Sequence, residues 1–211
     1  MKISLNLLES DSQIKKLMLD ALVGEVDKYM VRSISVVKRA LPSIMSGLIS
    51  RSPEYQSLEN GRLRLELGID NSSVKLAKLI TVWSTNIEYK YERPTVSAGQ
   101  VKTKFSAQLI RADFSDVLYT DFAAVVDLAR GYTLPWLEWL LLEGNKILVP
   151  NHSVVIGPNR GSRTGYAVMR EGRGSWKVPS EFSGTFRDNW ITRAIDKGMG
   201  DVESLLDRAF Q

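Results

Sequence analysis

From Asp11 to Ser50 the sequence sets apolar residues at helical spacing with hardly a gap: Ile14, Leu17, Met18, Ala21, Leu22, Val26, Tyr29, Met30, Ile34, Val37, Leu41, Ile44, Met45 and Leu48. Steps of three and four residues return a side chain to one face of an α-helix, so the pattern predicts a helix over about 11–50. Ser10 is placed to cap it, and Gln13 stands at the position that completes a capping box. Pro42 is expected to kink the helix or split it. A helix of this length outruns a small domain, so one end should project or pack on a neighbour.

Pro53 closes the helical pattern. In "GRLRLELGI", Leu63, Leu65, Leu67 and Ile69 alternate with Arg62, Arg64 and Glu66, the period of a strand with one buried face. Asn71 or Ser72 can cap a second helix that carries Val74, Leu76, Leu79, Ile80 and Trp83. Alternation returns through Ile87, Tyr89 and Tyr91, with Pro94 closing the strand and a loop over 95–100. It returns again through Val101, Thr103, Phe105, Ala107 and Leu109. The stretch 113–129 fits strand and helix equally. "LPWLEWLLLEG", from Leu134 to Gly144, predicts a short apolar helix with Pro135 in its first turn. "KILVP" and "HSVVIGP" read as short strands, and the glycine- and arginine-rich segment beyond them as part of a hairpin or extended arm over 145–178. Thr185 can cap a final helix over 185–210, although Gly198 and Gly200 each weaken it by about 1 kcal/mol relative to alanine.

The expected architecture is a single α+β domain. A long N-terminal helix and a C-terminal helix pack on a mostly antiparallel sheet. The sheet with one helix occupies 61–130, the short apolar helix 134–143 and the arm 145–178.

Few kinds of chemistry fit this composition. There is no cysteine and only one histidine, so disulfides and thiolate metal sites are excluded and no cofactor or metal is expected. No window approaches the roughly 18 apolar residues of a membrane span, and the first residues do not read as a signal peptide. His152 has no G-x-S-x-G nucleophile elbow near it and is expected to be structural or at the surface. Asp113, Asp116 and Asp121 do not match a calcium loop. "GPNRGSRTG" lacks the Gly-Lys-Ser/Thr ending of a phosphate loop and is expected to form a tight turn. The net charge is +4, and the 156–177 segment alone holds Arg160, Arg163, Arg170, Arg173 and Lys177 against Glu171. Such a segment can face phosphate, an acidic partner or simply water.

The order of features carries a resemblance. A long amphipathic N-terminal helix leads to "SPEYQSLENGRLRLELGI", then strands, "LPWLEWLLLEG", "GSRTGYAVM" and finally "FSGTFRDNWITRAIDKGMGDVESLLDRAF". This order resembles the tail-completion or neck proteins of tailed bacteriophages, the family typified by the tenth gene product of phage HK97. Asn60-Gly61-Arg62-Leu63-Arg64 stands where that family has a "tGxLrxSi"-like strand. Leu142-Glu143-Gly144 is an imperfect counterpart of its Glu-aromatic-Gly segment. Gly184-Thr185 and Asn189-Trp190-Ile191-Thr192-Arg193-Ala194 stand where the family has a glycine-threonine turn and a "PFLxPA" helix start. The chain departs from the family in its length, in lacking prolines around the last helix, and in the segment from Ile147 to Arg170.

The resemblance implies assembly and no enzymatic activity. Such proteins form a ring, commonly sixfold, in the neck of the virion, assembled in the host cytoplasm. The ring's neighbours are the connector and the tail terminator or tube; genomic DNA passes through its lumen, and no membrane is involved. Under this expectation Trp136, Trp139, Leu140 and Trp190 are candidate contacts between subunits or with the tail. Arg160, Arg163, Arg170 and Arg173 are candidate contacts with DNA in the lumen or with an acidic partner. Two rival readings are a sequence-nonspecific nucleic-acid-binding protein using the basic 156–177 segment and, more remotely, a hydrolase pairing His152 with Ser153 or Asp113.

Overall fold

The computed structural model describes residues 10–108, 114–127 and 131–211. Leu109 and Asp113, singled out above, lie outside the described residues.

The first helix, α1 (Asp11–Ser50), runs 40 residues, about 60 Å at ~1.5 Å per residue. The Ser10 N–H donates to Gln13 Oε1 at 2.8 Å, the reciprocal half of a capping box. Pro42 does not split the helix. Its ring only withholds one donor from the ladder, the one that would serve the Lys38 carbonyl. The buried face of α1 starts at Ser33 and continues through Ile34, Val37, Leu41, Met45, Leu48 and Ile49.

Three helices follow: α2 (Pro53–Asn60), α3 (Arg62–Leu67) and α4 (Ser72–Thr85). Ser52 caps α2, accepting the Tyr55 N–H at 3.2 Å, and Pro53 occupies the first turn. The segment expected to be a strand is therefore helix α3. Leucine–charge alternation over so few residues satisfies both periods, and burial decides between them. Leu63 and Leu67, four residues apart, are both buried, while Leu65 between them is only partly so. Gly68, in the left-handed region at φ 63°, ends the helix. Asn71 precedes α4 but makes no capping bond with its side chain, and Ser72 instead donates its hydroxyl to the Leu58 carbonyl.

Among the described residues the strands form three separate antiparallel ribbons and not one sheet. The first pairs β1 (Glu88–Ser97) with β2 (Gln100–Gln108). The second pairs β3 (Val125–Asp127) with β4 (Tyr132–Leu134). The third pairs β5 (Val149–Ile156) with β6 (Ala167–Trp176). Pro94 does not close β1. It sits at the register shift between Glu92 and Thr95, where a missing N–H is tolerated, and the strand resumes to Ser97. The expected loop over 95–100 is thus mostly strand, with a tight turn at Ala98-Gly99, φ 51° and 72°. The two short strands expected around Pro150 merge into β5, bent at Asn151 (φ 56°) where the register shifts.

Within 113–129 the described residues give α5 (Ser115–Leu118), a 3-10 turn at Asp121–Ala123, and β3. The apolar stretch is helix α6 (Trp136–Leu142). The C-terminal helix is two: α7 (Trp190–Lys197) and α8 (Met199–Ala209). Asn189, not Thr185, caps the first, its Oδ1 accepting the N–H groups of Ile191 and Thr192 at 3.0 and 3.3 Å. Thr185 supports that cap from outside, its carbonyl accepting Asn189 Nδ2 at 3.0 Å. Gly198 breaks the helix where the chain presses on Leu48 of α1.

Two apolar clusters result. The main one gathers α2, α3, α4, α6 and α7 around Trp83, Trp136 and Trp190, and the only buried residue that α1 gives it is Ile49. Trp83 and Trp190 meet edge to face at 5.1 Å. The second joins Val37, Leu41, Met45 and Leu48 of α1 to Ile87, Val202 and Leu205. The β1–β2 ribbon then climbs α1 beyond this cluster. Tyr91 donates its hydroxyl to Asp27 at 2.7 Å, and a Cβ at Gly99 would stand 3.6 Å from Lys15 Nζ.

Candidate assembly surface

The N-terminal half of α1 stands away from both clusters, with the ribbon covering only one of its sides. The side facing the ribbon is partly buried at Leu19, Val23, Val26 and Met30. The other side keeps Leu17 (60%), Met18 (61%), Leu22 (49%) and Tyr29 (43%) exposed. One apolar run in the sequence therefore contains two stripes, and among the described residues only one of them has a partner.

The tryptophans take other places. Trp136, Leu140 and Trp190 are completely buried in their own protomer, which leaves them no surface for a neighbouring subunit. Their polar atoms are satisfied inside: Trp136 Nε1 donates to the Phe122 carbonyl at 3.0 Å and Trp190 Nε1 to Ser52 Oγ at 2.6 Å. Trp139 alone of these candidates is half-buried. It lies 6.0 Å from Trp176 along the wall of a cleft. "LPWLEWLLLEG" is core because Trp136, Leu137, Leu140 and Leu141 form one buried apolar face of α6.

That cleft has a volume of about 620 Å³ and separates the β5–β6 hairpin from α3 and β4. Leu65, Tyr132, Val154 and Met169 contribute to its walls. Trp176 Nε1 donates to Glu66 Oε2 at 3.0 Å, which ties the hairpin base to α3. Arg163, one of the four candidate contacts with DNA or an acidic partner, reaches back toward Asp127. Its Nη1 lies 3.9 Å from Asp127 Oδ2, and its guanidinium rests on Gly68, where a Cβ would stand 2.9 Å from Nη2. Asp70 is also near enough to feel it. The Asp70 carboxyl is held below the usual range chiefly by the Lys75 ammonium that hydrogen-bonds it at 2.7 Å, with Arg163 adding a smaller pull. Arg160, Arg170 and Arg173 are exposed. Arg163 is exposed as well, with 31% of its side chain open beside Asp127.

His152 Nδ1 lies 2.9 Å from the Pro150 carbonyl, and in the ribbon His152 stands opposite Glu171. Ser153 follows His152 along the strand, so its side chain points to the opposite face. The two do not form a nucleophile–base pair. Among the described residues there is no group of three metal-ligating side chains, and no helix is long and apolar enough to cross a membrane.

The chain matches no family model, no curated protein and no solved structure.

Of the segments that carry the resemblance, the one set against a family strand is helix α3 here. Two others come together in space: the Gly144 N–H donates to the Gly184 carbonyl at 2.7 Å. A Cβ at Gly184 would stand 2.6 Å from the Leu140 carbonyl oxygen and 2.7 Å from Asn189 Cβ, so this turn has no room for another residue. The exposed α1 stripe and the Arg163–Asp127 pair were not singled out from sequence. For the stripe the signal was available: Leu17, Met18, Ala21 and Leu22 with Leu19, Val23 and Val26 are too many apolar positions for one face. Nothing local could pair Arg163 with a residue 36 positions away.

Proposed function

We propose that this chain is a structural subunit of a tailed-phage neck, assembling into a ring, commonly sixfold in such proteins, between head connector and tail. The observation that carries this reading is the N-terminal half of α1, which extends past the core with Leu17, Met18, Leu22 and Tyr29 exposed along it. A contiguous apolar surface on a projecting helix is unfavourable in water unless something covers it. A repeated contact between copies covers it and closes a ring. The resemblance in the order of sequence features supports this placement: connector on one side, tail terminator or tube on the other, DNA through the lumen, and the virion as final location. Arg160, Arg170 and Arg173, exposed on one hairpin, are the residues to face DNA or an acidic neighbour.

The test is imaging of the purified full chain over a range of concentrations, together with antibody detection in particles produced from the genome that encodes it. Closed rings with an opening wide enough for duplex DNA, and presence in the particle, are the expected results. A protein that stays monomeric and is absent from particles overturns the reading. The same hairpin arginines favour one alternative, nonspecific binding of nucleic acid. Salt separates the two. Affinity for nucleic acid falls steeply as salt rises through counterion release, whereas an apolar subunit contact does not weaken in that way.

A further inference from the structure

We propose that the β5–β6 hairpin is a hinged flap over the cleft, anchored at its base by Trp176 and latched at its tip by Arg163. The device belongs to the single chain and does not depend on subunit assembly.

The base is firmly held. Trp176 is 6% exposed, donates to Glu66 Oε2 at 3.0 Å, lies 6.0 Å from Trp139, and accepts the Leu148 N–H on its carbonyl at 3.0 Å. Above the base the ladder breaks. Pro150 pairs with Ser175 and His152 with Glu171, so Asn151 alone faces Gly172, Arg173 and Gly174. Asn151 is left-handed at φ 56°, Pro150 has no N–H to give, and the two glycines bring no side chain to resist bending. A joint of this kind absorbs changes in φ and ψ while the strands beyond it stay paired.

The tip is built to move as one piece. The Gly157 N–H donates to the Tyr166 carbonyl at 2.8 Å, Asn159 N–H to the Gly165 carbonyl at 3.0 Å, and Ser162 N–H to the Asn159 carbonyl at 3.1 Å. Ser162 Oγ accepts the Ala167 N–H at 3.2 Å. Among the described residues, every backbone hydrogen bond of 157–166 stays inside the hairpin. The tip reaches the body through Arg163, whose guanidinium lies against Gly68, where there is no side chain to displace it. Its 3.9 Å separation from Asp127 is longer than a hydrogen bond, and 31% and 17% of the two side chains are exposed. One such pair is a weak tie.

Between base and tip lies the cleft. Val154 and Met169 line it from the hairpin, and Leu65, Tyr132 and Trp139 from the body. Val154 and Met169 touch the main cluster yet stay only partly buried. Closure therefore depends on a modest apolar contact and on an ion pair that salt can screen. With the latch released, the hairpin swings about Asn151 and opens the cleft with its own ladder intact.

The chain has no cysteine, so Val154→Cys places a single thiol on the inner face of the flap. Its alkylation by iodoacetamide, a neutral probe, reads opening, while amide exchange at 153–156 and 167–170 reads the ladder. In this background Arg163→Gln should speed alkylation about two- to fivefold, the scale of one partly exposed ion pair, and leave the amide exchange unchanged. Salt at about 1 M should speed alkylation when Arg163 is present and have no effect with Arg163→Gln. An unchanged alkylation rate in Arg163→Gln, or a salt response that survives it, removes the latch. Faster alkylation with equally faster ladder exchange shows a hairpin that unfolds and does not swing. Each of these results overturns the proposal.

Discussion

Arg193 donates from both Nε and Nη2 to one oxygen of Glu54, at 3.1 and 2.8 Å. The pair joins α7 to the first turn of α2, and the Glu54 side chain is only 6% exposed. The two partners depend on each other unequally. Arg193 also donates to Asp188 at 3.1 Å and to the Phe182 and Ser183 carbonyls at 3.3 Å. Arg193→Met should therefore destabilise by about 3 kcal/mol, because it strands a buried carboxylate. Glu54→Gln should cost less than half as much, because the guanidinium keeps its other acceptors. Urea unfolding of both variants measures the difference; equal losses would show that the pair acts symmetrically.

Gly184 and Gly198 are both confined, but by different neighbours. At Gly184 a Cβ meets the Leu140 and Leu141 carbonyl oxygens at 2.6 and 2.9 Å, groups of the backbone that cannot move aside. At Gly198 the three nearest atoms it meets all belong to the Leu48 side chain. Gly198→Ala should cost roughly 2 kcal/mol through overpacking. Leu48→Val should recover part of that loss when the two are combined, giving a favourable coupling in a double-mutant cycle. The same Leu48→Val change should do nothing for Gly184→Ala. Thermal melts of the six proteins, the parent and five variants, are the measurement.

The elements legible in the sequence were those where one period persists over many residues or one signal admits a single geometry. Forty residues of three-and-four spacing from Asp11 give α1 its limits, and Ser10 with Gln13 its start. The short apolar helix at Trp136 was legible because apolar surface all round demands burial. "RLRLEL" was misread because six residues cannot distinguish alternation from an i, i+4 pair; Gly61 and Gly68 on either side held the information that a turn of helix was being bracketed. The break at Gly198 was legible only as a weak point, since the reason for it, Leu48, is 150 residues away. The candidate surface was half legible. Too many apolar positions in 14–26 signal a second stripe, but which one stays bare depends on where the β1–β2 ribbon lies.

Asp70 should supply a small acid-sensitive part of the stability. Lys75 hydrogen-bonds its carboxyl and lowers its folded pKa below the ordinary value of 3.8. A carboxylate whose pKa is depressed on folding stabilises above its unfolded pKa and loses that contribution as pH falls through the folded one. Asp70→Asn should therefore lower stability at neutral pH by about 0.5 kcal/mol, a figure kept small because the side chain is 46% exposed. Its melting temperature should then fall less than the parent's as pH drops from 4 towards 2. Parallel curves would remove Asp70 from the acid response.

Gly24 lies in the projecting half of α1, and a Cβ added there has nothing within 4 Å. Alanine at an open position inside a helix is favoured over glycine by about 0.8 kcal/mol. This half of α1 has no buried residue before Ser33, so Gly24→Ala should act locally. Amide exchange between residues 14 and 30 should slow several-fold, while exchange at Met45 and Ile49, which opens only with the core, stays as it was. Assembly should respond as well. A stripe that is partly frayed in the free subunit must be ordered when it docks, and a stiffer helix reduces that entropy cost. The variant should therefore assemble at a lower concentration than the parent protein. Faster exchange along residues 14–30, or an unchanged assembly threshold alongside slower exchange, would separate the order of this helix from subunit association.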